Sequence, residues 1–149
     1  MGEKIQHLEE LLSNTPPGTD RHKQSLVQLA KWYTSKSFRT NDISDIEESI
    51  KYSRLSLDAI HSSELLISLQ TLLFHAFEKT NKISYLDESI TIGYDILESK
   101  NAQPIHFHAF KDLISSLLTR EQFLASGQNE DLHEAIRLIP MFTDSQYVQ

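Results

Sequence analysis

The chain has 149 residues, 39% of them hydrophobic, and its 21 acidic against 14 basic residues give a formal net charge of −7. That length suits one domain with a real core. The charge opposes a phosphate backbone, with no stretch expected to concentrate Lys or Arg enough to reverse it, so nucleic acid is not an expected partner. The absence of cysteine excludes disulfides, thiolate metal sites, iron–sulfur clusters and cysteine nucleophiles.

The first residues, Met1-Gly2-Glu3-Lys4-Ile5-Gln6, hold no apolar stretch long enough for a signal peptide or a membrane span, and none follows. A soluble, cytoplasmic protein without a membrane partner is expected. Gln6 stands where an N-myristoylation motif wants Ser or Thr. Ile5, Leu8, Leu11 and Leu12 then recur at helical spacing over about residues 3–13, until Thr15-Pro16-Pro17-Gly18 stops the helix. Leu26, Leu29, Ala30 and Tyr33 mark a second helix, which the polar stretch from Ser35 to Asn41 is expected to close.

Ser44 with Glu47 forms a capping-box pattern, predicting the start of a third helix. Ile46, Ile50, Leu57 and Ile60, with Tyr52 and Leu55 beside them, suit burial on more than one side up to Ser62-Ser63. Leu65, Leu66, Leu69, Leu72, Leu73 and Phe77 make a fourth helix. Ser84 opens a fifth, carrying Leu86, Ile90, Ile92, Ile96 and Leu97. Pro104 sits at the start of a sixth, tolerated there because the first helical amide has no partner to lose. Leu113, Ile114, Leu117, Leu118 and Phe123 carry this sixth helix towards Gly127, its expected stop. Leu132, Ile136 and Ile139 make a seventh, which Pro140 is expected to keep short, leaving a frayed tail over 143–149.

One phrase recurs along this series: Asn41-Asp42-Ile43-Ser44-Asp45-Ile46-Glu47-Glu48-Ser49-Ile50, Asn81-Lys82-Ile83-Ser84-Tyr85-Leu86-Asp87-Glu88-Ser89-Ile90, and Asn129-Glu130-Asp131-Leu132-His133-Glu134-Ala135-Ile136. Its isoleucines, Ile50, Ile90 and Ile136, fall about 40 to 46 residues apart, the length of a helix pair. Neither helix of such a pair can bury both its apolar faces alone, so units stack.

The second-helix phrase, the small residues Ser49, Ser53 and Ser56, and the Leu26/Leu29/Ala30/Tyr33 series resemble the tetratricopeptide repeat. Thr15-Pro16-Pro17-Gly18-Thr19-Asp20-Arg21 and Phe77-Glu78-Lys79-Thr80-Asn81 look more specifically like the extended tetratricopeptide-like repeats of fungal proteins, often upstream of a caspase-like CHAT protease domain. The chain departs from that pattern at Ser89, Gly93 and Ile96, and again at Ser115 and Ser116. The resemblance implies an all-α, right-handed α-α superhelix of about seven helices in a single domain, 1–142. A partial repeat would occupy 1–18, and further repeats about 19–61, 62–103 and 104–142. It begins inside one second helix and ends inside another, so a segment of an array is expected.

What the resemblance implies functionally is a non-catalytic scaffold whose concave face, lined by first helices, binds a peptide or another protein domain. Mapping its groove onto this chain gives Gln28, Lys31 and Ser35, then Thr71, Phe74 and His75, and Arg120 as partner contacts. A CHAT protease needs a cysteine nucleophile, so that activity would lie elsewhere or be lost. Two other readings stay open. One is a regulatory or recruitment segment of a larger multidomain protein, present as a fragment or truncated paralogue and self-associating through open repeat ends. The other is a small all-α ligand-binding protein or enzyme.

The residues themselves offer little chemistry. His106 and His108 are two apart, so on a helix they diverge by about 200° and do not chelate one ion. Glu47-Glu48, Asp87-Glu88 and Glu130-Asp131 are expected in first turns, where negative charge meets the helix dipole, rather than as acid/base pairs. No Gly-x-Ser-x-Gly elbow occurs, and Gly2, Gly18, Gly93 and Gly127 are too scattered for a phosphate loop. Trp32 and Tyr33 beside Lys31 fit half-buried packing better than a ligand surface. No catalytic residue, metal or cofactor is expected.

Overall fold

Among the described residues the apolar spacing becomes seven α-helices: α1 (Gly2–Asn14), α2 (Asp20–Thr40), α3 (Ile43–Ala59), α4 (Ser63–Thr80), α5 (Ile83–Glu98), α6 (His106–Leu124) and α7 (Glu130–Asp144). The structure, a computed structural model, describes residues 2–98, 106–125 and 127–144. Among them there is no strand, and no helix is long and apolar enough to cross a membrane. The fold is all-α, as the sequence predicts.

Asparagine punctuates it. α2 runs through the polar stretch expected to end it and closes only at Asn41, which takes the left-handed conformation (φ 56°) and donates its N–H to Ser37 O at 2.8 Å. Asn81 repeats this after α4, with φ 58° and a 2.7 Å bond to Phe77 O. Asn129, at φ 61°, precedes α7 and accepts the His133 N–H at 2.9 Å. Asparagine tolerates this conformation better than other side chains because its short amide bonds locally. The recurring Asn is therefore a turn requirement.

Helix starts differ from the predicted ones. Asp42, not Ser44, caps α3: its carboxylate accepts the Ser44 N–H at 2.8 Å and the Ser44 hydroxyl at 2.7 Å. A carboxylate two positions upstream outcompetes the serine, which is drawn inside the helix. The pairs Glu47-Glu48 and Asp87-Glu88 then fall beyond the first turn, and only Glu130-Asp131 occupies one.

Helix ends differ too. α6 stops at Leu124, with Ala125 (φ 46°) in the left-handed position ahead of Gly127. α7 continues through Pro140 to Asp144. Pro140 has no N–H to donate to the Ile136 carbonyl, so the helix runs on with one main-chain bond fewer. Pro104 and residues 145–149 lie outside the described residues.

The chain forms two compact units, Met1–Leu65 and Leu66–Gln149. In the first, Ile5, Leu8, Leu26, Leu29, Ala30 and Tyr52 form the core, with Trp32 and Tyr33 half-buried against it. α3 offers Ser49, Ser53 and Ser56 as buried small residues. Two of these return their hydroxyls to their own helix, Ser49 to Ile46 O and Ser56 to Tyr52 O, so neither of the two leaves an unpaired donor.

The second unit packs Phe77, Leu86, Ile90, Phe110, Leu113, Leu117, Ala135 and Leu138 together. Gly93 is a notch in this core: a Cβ there would stand 2.8 Å from Gln70 Nε2 and 3.1 Å from Leu113 Cβ. Gln70 is wholly buried, donating from Nε2 to Ala109 O at 3.2 Å and accepting Ser89 Oγ on its main-chain carbonyl at 3.1 Å. On α7, Ala135 and Leu138 face the core, while Leu132, Ile136 and Ile139 are 37%, 56% and 43% exposed. Leu86 and Ile90, which hold the same places in the repeated phrase as Leu132 and Ile136, are buried.

Candidate functional site

In the first unit, α1 and α2 pack through their apolar stripes but leave a slot of about 370 Å³ between them. Ile5 and Leu8, three apart on α1, and Trp32 on α2 supply its apolar walls. Gln28, Lys31 and Ser35 supply a polar edge, because spacings of three, four and seven place them on one face of α2. Three residues predicted as partner contacts are thus neighbours at one cavity. None of their side chains has a hydrogen-bond or ion partner among the described residues.

The indole of Trp32 is held from two sides. Tyr33 meets it edge-on at 4.9 Å, and Lys36 Nζ lies 5.3 Å from its ring centre. Lys36 is itself fixed by Asp45 at 3.1 Å. Tyr33 stacks on Tyr52 at 5.2 Å and donates its hydroxyl to Glu9 at 3.0 Å, tying α1 to α2 beside the slot. Burial, reinforced by the Glu9 carboxylate, pushes the Tyr33 phenol up to about 12. The slot wall is therefore a pre-set surface rather than a loose side chain.

The other predicted contacts lie in the second unit. Arg120 lines a cavity of about 400 Å³ with Asp87, Glu121, Glu130 and Asp131 over Ile83 and Leu124. Its guanidinium is already committed, with Nε and Nη2 donating to Asp131 at 2.7 and 2.6 Å and Nη1 to Asp87 at 3.0 Å. Hydrogen bonding to Asp131, above all, raises its pKa further still.

Thr71 is exposed and donates to Asp112 Oδ2 at 3.1 Å. Phe74 packs on the core. His75 is half-buried, and burial holds its imidazole pKa below the ordinary value. None of these three lines the Arg120 cavity.

Sequence reasoning missed two things. Ile5 and Leu8 belong to the core and Trp32 packs against it, as their helical spacing suggests, but periodicity does not show that the two helices leave a gap that these residues also line. The charge balance also reverses locally. α2 carries Arg21, Lys23, Lys31, Lys36 and Arg39 against Asp20 alone, contrary to the expectation that no stretch concentrates basic residues. A count per helix rather than per chain reveals it.

Among the described residues no group of three or more His, Cys, Asp or Glu side chains is placed to hold a metal ion. The side chain of His106 lies outside them. No protein-family model, curated protein or solved structure matches the chain.

Proposed function

We propose that the chain is a non-catalytic protein-interaction module that receives a peptide segment across the slot between α1 and α2. The observation that carries this reading is the pairing of an apolar wall with a polar edge in one cavity. Ile5, Leu8 and Trp32 can desolvate an apolar side chain, while Gln28, Lys31 and Ser35 still have hydrogen-bonding capacity to spend on a ligand backbone. At about 370 Å³ the slot is near the small end of ligand pockets, which suits an anchoring side chain better than a bulky cofactor.

Selection of peptides from a random displayed library against the full chain tests this. Peptides so selected are expected to lose binding to Ser35→Arg, which fills the polar edge from an exposed position, and to keep it with Thr91→Arg, an exposed control in the second unit. Selected peptides that ignore Ser35→Arg would place the interaction elsewhere.

A further inference from the structure

The slot opens beside a line of basic residues on α2 of an acidic protein. Arg21, Gln28, Lys31, Ser35 and Arg39 share one side of α2, since 18 residues make five whole turns and bring Arg39 back into line with Arg21. Arg21, Lys31 and Arg39 are all exposed, and none joins an ion pair among the described residues. Lys36, by contrast, is taken by Asp45. These exposed cations therefore stand at the two ends and near the middle of a line, and the slot opens beside the middle one.

We infer that this face binds an extended acidic peptide with one apolar anchor, the anchor entering the slot and the carboxylates meeting Arg21, Lys31 and Arg39. The inference rests on the slot reading above and adds the charge and length of the ligand. Arg21 and Arg39 are about 27 Å apart along the helix axis, a distance that about eight extended residues span. Acidic residues near both ends of such a segment, with a large apolar residue between, match the cations and the apolar wall together. A basic segment would be repelled, and the −7 chain charge already disfavours indiscriminate capture of anions. A nucleic-acid strand carries a charge about every 3.4 Å, far denser than three cations over that span can match.

Three displayed ten-residue libraries test the inference with the full chain. Each is random at its central positions, and the ends carry Glu-Glu, Gln-Gln or Lys-Lys. Single-stranded oligothymidine is titrated in parallel, and Trp32, the only tryptophan, reports entry into the slot by its emission.

The Glu-ended library is expected to enrich at least about tenfold over the others, to converge on a central apolar residue, and to shift Trp32 emission to the blue. Lys31→Glu should cost the best clone about tenfold in Kd, Lys31→Arg should retain it, and added salt should weaken it. Unchanged far-ultraviolet circular dichroism of the exposed Lys31→Glu variant shows that it is folded.

Equal enrichment of all three libraries, lost with Ser35→Arg, overturns the acidic preference while leaving the slot reading in place. Failure of every library to enrich overturns both. Oligothymidine binding as tightly as the best clone, and losing affinity in Lys31→Glu, overturns the peptide in favour of nucleic acid.

Discussion

Arg120 and Asp131, from α6 and α7, are joined side by side through two parallel hydrogen bonds, Nε to Oδ2 at 2.7 Å and Nη2 to Oδ1 at 2.6 Å. Bidentate, charge-assisted geometry of this kind is stronger than an ordinary surface ion pair. Arg120→Met is expected to destabilise the protein by about 1–2 kcal/mol, chiefly by leaving a half-buried carboxylate unpaired. A double-mutant cycle with Asp131→Asn, read by urea unfolding, should return a coupling of about 1 kcal/mol. Additive effects would mean that the pair contributes nothing as a pair.

Gly93→Ala opposes two terms. Alanine favours the helix by about 1 kcal/mol over glycine, but its Cβ would sit 2.8 Å from Gln70 Nε2 and 3.1 Å from Leu113 Cβ. Overpacking of this kind costs about 1–3 kcal/mol, and Leu113 Cβ cannot rotate away. Net destabilisation of about 1 kcal/mol is expected from thermal or urea unfolding. In a Gln70→Ala background the cost of Gly93→Ala should shrink, since one of the two clashes is gone.

Asn41 and Asn81 need a residue that accepts positive φ. Asn→Gly at either is expected to leave stability nearly unchanged, whereas Asn→Val should cost about 1–2 kcal/mol, the strain of a β-branched residue in the left-handed region. Equal tolerance of valine at both sites would show that the turns can re-form another way.

Alkaline pH should loosen both units. An ordinary tyrosine titrates near 10, whereas burial, with Glu9 for Tyr33 and Glu134 for Tyr94, pushes these two phenols up to about 12. Folding raises these pKa values, so the stability they contribute is complete below pH 10 and is lost as pH climbs from 10 through about 12. Glu134 runs the other way. Held low, first by Arg137 and then by Tyr94, its contribution is present at neutral pH and lost as pH falls through its folded value. Tyrosinate absorbance should show Tyr33 and Tyr94 titrating late, and Tyr33→Phe and Tyr94→Phe should each remove one late step.

The helices were legible because apolar residues at three- and four-residue spacing need no partner to be recognised. What covers each face was not. Leu132, Ile136 and Ile139 have the same periodicity as Leu86 and Ile90, yet they are exposed, while Ala135 and Leu138 of the same helix are buried. Ser44 matches a capping pattern, but Asp42 is nearer the free amides and a better acceptor. Of the candidate site, Gln28, Lys31 and Ser35 could be named from their helix face. Their apolar neighbours Ile5 and Leu8 could not, because the gap they line depends on how two helices meet. Arg120 carried no sign in the sequence that Asp131 and Asp87 would claim its guanidinium.

Trp32 is the sole tryptophan and belongs to the first unit, beside the stacked Tyr33 and Tyr52. Denaturation followed by its emission therefore watches residues 1–65 and is blind to the remainder, while a signal summed over all helices watches both. Coincident midpoints from the two signals would mean one cooperative transition, and separated midpoints would assign each step to its half of the chain without any label.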